Sequence, residues 1–271
     1  MIIEDAWDRS EGRTISIEGE LIDELQSEYQ DIKVYETKCF GKLLQLDGII
    51  QLTEFDEANY HEMIVHVPMM AHENARRVLV IGGGDGGAVR ELVKYSSVKE
   101  NDMVEIDECV VDISKRHLPN ISCGLNDHRV NLYHEDGAEF IKNHSDYYDV
   151  IIVDSTDPFS VGESLFQENF YSDIKKSLRK HGIVVSQSES MFYNADWIFG
   201  ELKEFKSKYF DSVEYYYTMV PTYPSGTIGF QICSDGYYNF KKPFDLHSLS
   251  DLKYYNYDVH RGSFMLPNGV K

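Results

Sequence analysis

The sequence predicts an α/β protein: a mostly parallel sheet covered by helices on both faces, preceded by a small antiparallel β-domain. Three observations carry this. From residue 78 onward, short apolar runs alternate with helical stretches, the pattern of a parallel sheet built from crossover units. The first of these runs, VLVI at 78–81, feeds directly into GGGDGG at 82–87, a buried strand entering a tight glycine turn. Residues 1–53, by contrast, hold short strand-like runs separated by turn signals, with no crossover helix between them.

In the first segment, strands are expected at 31–36 (DIKVYE), 42–46 (KLLQL) and 49–52 (IIQL), with Asp47-Gly48 as a two-residue hairpin turn. Residues 56–70 (DEANYHEMIVHVPMM) read as a helix that Pro68 ends or bends. His61-Glu62 followed by His66 is suggestive of a zinc helix, but the histidines are five apart rather than four. They lie about 140° apart around the helix, so this pair is not a metal site.

The parallel part has strands at 78–81, 103–106, 130–133, 150–154 and 183–186, with helices at 88–94, 109–117, 138–143 and 169–179. After a helix at 197–209, strands at 213–220 and 227–233 flank PTYPSG and close the sheet with one antiparallel strand. The division expected is 1–53 and 54–271.

Gly82, Gly84 and Gly87 satisfy G-x-G-x-x-G between a strand and a helix, and Glu105 follows about twenty residues on, after the next strand. This is a Rossmann-like nucleoside site in which the glycines admit close backbone approach and the acid grips ribose hydroxyls. Asp85 inside the loop opposes the pyrophosphate of a dinucleotide, which belongs at a helix N-terminus. It suits a ligand that is cationic there, an adenosyl sulfonium, and so a methyltransferase-type sheet. The bland reading is that Asp85 only caps the following helix.

Ligands of open α/β sheets lie at the carboxyl ends of the strands. Those ends carry Glu105 and Asp107, Asp136-Gly137, Asp154 to Asp157, and Gln187 with Glu189, an acidic cleft. The whole chain has 26 Lys and Arg against 46 Asp and Glu, a net charge of −20, which disfavours nucleic acid and anionic membranes and permits a cationic substrate. No apolar run approaches a membrane span, and the acidic start MIIEDAWDRSEGR has no signal-peptide core. Cys39, Cys109, Cys123 and Cys233 are scattered without a CxxC, as expected of thiols in a reducing cytoplasm.

At DSTDP (154–158) the chain resembles the spermidine synthases, the aminopropyltransferases of polyamine synthesis. The matching segments are YQDIKVYET, LDGIIQLTEFDEANYHEM, VLVIGGGDGGAVRE, VEIDE, DGAEFI, DVIIVDSTDP, PTYPSGTIGF and YYNYDVH. DSTDP and YPSG are the specific ones; the glycine loop is shared by all methyltransferase-like folds. The resemblance implies decarboxylated S-adenosylmethionine as donor, putrescine as acceptor, no metal or resident cofactor, and a homodimer or homotetramer built partly through the N-terminal β-domain.

Residue by residue, it implies that Gln30, Gly82, Gly84 and Glu105 hold the donor nucleoside and that Asp136 and Gly137 face the adenine. Asp85 would take the aminopropyl ammonium with His61 beside it. Tyr60, Ser155, Thr156, Asp157 and Tyr223 would line the diamine channel, and Asp154, with Tyr60, would be the catalytic base. Two places depart from the family pattern. The loop that usually continues Gly-Pro-Ala before a glutamate reads Ser160-Val161-Gly162-Glu163 here, and Trp7 lacks its usual neighbours, which leaves its family role open; as a tryptophan in a polar segment it reads as a packing anchor.

A sulfonium donor already carries an activated leaving group, so alignment and deprotonation of the amine are what remain. An amine of pKa about 10.4 is about 3.4 units from neutrality at pH 7, roughly 4.6 kcal/mol, which a carboxylate within hydrogen-bond reach can help supply. Two rival readings are an S-adenosylmethionine-dependent diamine N-methyltransferase and a non-catalytic polyamine-binding protein.

Overall fold

The computed structural model describes residues 1–7, 9–155, 165, 168–236, 238–243 and 249–270. The first five strands, β1 (Ile2–Glu4), β2 (Ser16–Gln26), β3 (Asp31–Thr37), β4 (Gly41–Leu46) and β5 (Ile49–Thr53), form one antiparallel sheet in chain order. Leu46 pairs with Ile49 across Asp47-Gly48, and both turn residues have positive φ (48° and 80°), the two-residue hairpin expected. β1 and β2 were not expected. β2 reads SIEGELIDELQ, in which Leu21 and Leu25 fall at helical spacing among acids; pairing with β3, with a register shift between Leu21 and Asp23, makes it a strand.

Alternation in this sheet sends Ile32, Val34, Leu44, Leu46 and Leu52 against α3 (Glu108–His117) and α4 (Pro119–Ser122), and Ile3, Ile17, Tyr35, Leu43 and Ile50 to the other face. The N-terminal sheet is therefore seated on the helices that follow the glycine loop. This sets Gln30, at the start of β3, beside Asp107, which caps α3.

The second sheet has seven strands in the order β11-β12-β10-β9-β6-β7-β8. They are β6 (Arg77–Gly82), β7 (Glu100–Val104), β8 (Val130–Tyr133), β9 (Tyr148–Asp154), β10 (Leu178–Gln187), β11 (Ser212–Met219) and β12 (Thr227–Ser234). All neighbours among β6 to β10 are parallel, while β12 runs antiparallel to both β10 and β11. One strand is reversed, as the sequence predicts. The chain moves outward from β6 to β7 and β8 and then returns to place β9 on the other side of β6. The switch point lies between the ends of β6 and β9.

Side chains alternate across this sheet into two cores. Val78, Val80, Val150, Ile152, Ile183 and Val185 pack with α1 (Glu57–Ala71) and α2 (Gly87–Leu92). Leu79, Ile81, Ile151, Val153 and Val184 pack on the opposite face with α5 (Gly137–Ile141), α6 (Glu168–Ser177) and α7 (Lys203–Ser207). α7 follows a π-helical turn, Trp197–Leu202, where the sequence suggested one continuous helix. The last element is α8 (Tyr257–Gly262). No helix of the described residues is long and apolar enough to cross a membrane.

α1 is the pivot of the structure. Pro68 lies inside it without ending it, since the helix runs on to Ala71 and His72 N–H still reaches the Pro68 carbonyl. Every residue of α1 except Asn59 is buried. A helix enclosed on all sides must satisfy its polar side chains internally. Glu62 accepts the backbone N–H groups of Lys253, Tyr254 and Tyr255, tying down the C-terminal segment. His66 lies between Tyr95 and Glu91. Glu57 and His61 face the other way, toward the switch point.

Candidate active site

The glycine loop is fastened to the end of β9. Gly83 N–H donates to the Asp154 carbonyl at 2.8 Å, and a Cβ on Gly82 (φ 82°) would stand 2.1 Å from that same oxygen. Only glycine lets the two strand ends close to this distance. At Gly84 the need is for room: a side chain there would meet Val110 at 2.8 Å and a carboxylate oxygen of Glu105 at 3.0 Å. The loop thereby draws Asp85, Glu105 and Asp154 around one cavity, which they line together.

Tyr60, on α1, donates its phenol to Asp154 Oδ1 at 2.6 Å. Asp154 Oδ2 is buried and has no hydrogen-bond partner among the described residues. Burial, and then the negative charge of Asp85, push Asp154 up to about 6, against the opposing pull of His61 and Tyr60. Burial and Asp154 in turn drive the Tyr60 phenol well above its ordinary value, so it remains a donor.

Asp85 Oδ1 accepts Gly87 N–H at 2.7 Å and meets His61 Nε2 at 3.1 Å. Asp85 thus does both things considered for it, closing the start of α2 and facing the cavity. Burial opposes its ionisation, but His61 more than reverses this and Asp85 titrates below the usual range. Burial drives Glu105 up to about 7, although the N–H groups of Asp107 and Gly84 favour its charged form.

Of the remaining expected residues, Gln30, Gly82, Gly84, Asp136, Gly137, Ser155 and Tyr223 also line the cavity. The Asp136 carboxylate caps α5 through Ala138 N–H, and the Tyr223 phenol is committed to the Gln51 carbonyl at 2.6 Å. Gln187 and Glu189, at the end of β10, complete the acidic rim; Glu189 adopts a left-handed backbone (φ 58°). Asp107 is different. Its carboxylate is used by Ser27, Gln30 and Cys109 N–H and does not line the cavity. Thr156, Asp157 and the 158–163 loop lie outside the described residues.

Trp7, expected as a packing anchor, lines the cavity beside Asp5, so the N-terminal segment contributes to its wall. Glu57 also lines it and was not singled out, although it stands one helical turn before His61 on the same face. Histidine and carboxylate ligand atoms of His61, Asp85 and Asp154 come within 4.8 Å of one another. This grouping is distinct from the His61/His66 pair considered in the sequence, and here both ring nitrogens of His61 already face carboxylates.

The spermidine synthase tetramerisation domain family matches residues 4–54, and the spermine/spermidine synthase domain family matches residues 57–242. A polyamine aminopropyltransferase of Clostridium beijerinckii is 48% identical over 95% of this chain and 92% of its own length. Spermidine synthase 2 of Arabidopsis thaliana is 44% identical over 91% of this chain and 76% of its own. A crystal structure of spermidine synthase in complex with the transition-state analogue AdoDATO superposes with a TM-score of 0.95 at 36% identity, covering 100% of this chain and 93% of that one. The spermidine synthase of Thermotoga maritima gives 0.93, also at 36% identity, over 100% and 92%. This chain belongs to the spermidine synthase family of polyamine aminopropyltransferases.

Proposed function

We propose that this chain is an aminopropyltransferase that moves the aminopropyl group of decarboxylated S-adenosylmethionine to putrescine, giving spermidine and 5′-methylthioadenosine. The observation that carries the reading is the Tyr60–Asp154 hydrogen bond, 2.6 Å long, in the same cavity as Asp85 and Glu105. Asp154, with an oxygen unpaired among the described residues, Asp85 and Glu105 meet where the sheet switches direction, which supports reading them as base, cation site and ribose contact.

In this reading Gln30, Gly82, Gly84, Glu105, Asp136 and Gly137 hold the nucleoside of the donor. Asp85, with His61, takes its terminal ammonium. Asp154 Oδ2 receives a proton from the acceptor amine, and its rise to about 6 brings its proton affinity closer to that of the amine. Tyr60 holds Oδ1 and so aims Oδ2. The freed nitrogen lone pair attacks the carbon attached to sulfur, and the carbon–sulfur bond breaks with its electrons on sulfur. Ser155, Thr156, Asp157 and Tyr223 belong to the acceptor channel. No step calls for a metal or a resident cofactor. The division of labour is a β-domain at 1–53 and a catalytic unit at 54–271, assembled as a homodimer or homotetramer, in the cytoplasm.

Mass spectrometry of the products tests this. The protein is offered putrescine with S-adenosylmethionine or with its decarboxylated form. Spermidine and methylthioadenosine from the decarboxylated donor alone are expected. N-Methylputrescine from the intact donor would overturn the reading in favour of a methyltransferase. Tight diamine binding with no product from either donor would leave a binding protein.

A further inference from the structure

His61 stands between two carboxylates. Its Nδ1 lies 2.8 Å from Glu57 Oε2 and its Nε2 lies 3.1 Å from Asp85 Oδ1. A neutral imidazole has one N–H to donate and an ionised carboxylate has none, so one of these contacts would face two acceptors unless a proton is added. Placing that proton on either carboxylate would cancel a charge that its other donors use. Both Glu57 oxygens accept from Arg90, at 3.0 and 2.8 Å, and Asp85 Oδ1 already accepts Gly87 N–H. The added proton therefore belongs on the ring.

We propose that Glu57, clamped by Arg90, holds His61 as an imidazolium that fixes Asp85 Oδ1, so that Glu57 and Arg90 are positioning residues for the cationic tail of the donor. The part concerning the donor rests on the function proposed above; the charge state of His61 does not.

The ring is held from further sides as well. A Cβ on Gly87 would sit 2.3 Å from its Cε1 and Nδ1, so the ring lies flat against the start of α2, while the Tyr60 ring meets it edge-on at 5.4 Å. Two carboxylates contact the ring, Glu57 from α1 and Asp85 from the glycine loop, with Asp154 of β9 close by; behind Glu57 stand Arg90 of α2, itself paired with Glu91, and Lys253 of the C-terminal segment, 3.7 Å from Glu57. Burial opposes the ring's charge, but Asp85 and Glu57 raise it to about 10, and Glu57 itself, despite burial, is drawn down to about 2 by His61 and Arg90.

With Oδ1 occupied by Gly87 N–H and by His61, Asp85 presents only Oδ2 to a ligand, in a fixed rotamer. The cavity is thus not lined by bare acids alone. It contains an internal cation between Glu57 and Asp85, and Asp85 Oδ2 is the oxygen of that pair left to bind a second cation. Removing the Glu57 charge would leave a buried imidazolium with Asp85 and Asp154 on one side and Arg90 on the other, and the ring would lose its proton near neutral pH.

The test is a 15N and 1H NMR titration of His61 in substrate-free protein, assigned by comparison with His61→Gln, alongside donor kinetics of Glu57→Gln. The wild-type ring is expected to stay doubly protonated beyond pH 8.5. In Glu57→Gln its midpoint should fall by two or more units. Its kcat/KM for the decarboxylated donor should fall about 100-fold, mostly through KM, with a new ionisation between pH 6 and 8. A neutral His61 at pH 7.5 in the wild type would overturn the proposal, as would a Glu57→Gln pH profile matching wild type. The titration uses no substrate, so it decides the charge state even if transfer activity is absent or Glu57→Gln does not fold.

Discussion

Replacing Asp154 by Asn separates the stability of this site from its chemistry. In the folded chain, burial and Asp85 raise Asp154 from 3.8 to about 6. The unfolded chain titrates near the lower value. Between these values the folded state binds more protons than the unfolded state, so stability falls as pH rises from about 4 to 6 and stays reduced above. A shift of about two units corresponds to about 3 kcal/mol. Asn cannot ionise and can still accept the Tyr60 hydrogen bond, and any cost of its amide in the Oδ2 pocket is independent of pH. The stability of Asp154→Asn relative to wild type should therefore rise by about 2.4 kcal/mol between pH 4 and 7.5, roughly 5 °C or more in melting temperature. Thermal melts of both proteins at the two pH values measure this, and product formation at pH 7.5 should fall by about 100-fold or more. A stability difference that is flat with pH would refute the buried-charge argument. Turnover within twofold of wild type would remove Asp154 as the base.

Two further substitutions test features away from the cavity. Lys206 is 1% exposed, donates to Ser186 Oγ at 2.6 Å and lies over the Tyr171 ring, and burial lowers it to about 8. The unfolded chain keeps that proton to about pH 10.4, so the cost of burying the charge is full below pH 8 and disappears as pH rises past the unfolded value; Lys206→Met should stabilise by about 3 kcal/mol at pH 7 and by little at pH 10.5, as read by denaturant melts. Glu62 holds three successive backbone N–H groups, at 2.7, 2.9 and 2.6 Å. Glu62→Gln turns an amide donor toward one of them and should cost about 2–3 kcal/mol, with hydrogen exchange at residues 253–255 accelerated; unchanged exchange there would count against Glu62 as the anchor.

Much of this protein is legible in its sequence because the informative patterns are local. The apolar runs of β6 to β10, the Asp47-Gly48 hairpin and the glycine loop with Glu105 behind it follow from residues near one another in the chain, and DSTDP adds a specific family resemblance. The alternation of β6, with Val78 and Val80 to one core and Leu79 and Ile81 to the other, needs no more than side-chain period and burial. β2 was hidden because its local pattern suits a helix, and only its long-range pairing with β3 makes it a strand.

The site's chemical state belongs to the tertiary structure. Whether Asp85 serves the helix start or the cavity could not be divided from sequence, since it accepts Gly87 N–H and also lines the cavity. That Asp107 turns toward Gln30 while Glu105 turns toward the cavity depends on how the N-terminal sheet is seated on α3. The Glu57–His61–Asp85 contact joins α1 to a loop more than twenty residues away, and Trp7 reaches the cavity from the far end of the chain. Residue types and local periods are properties of a segment. Proton affinity and hydrogen-bond partnership are properties of a dielectric environment and of distances of about 3 Å, and these exist only once distant segments have been packed together.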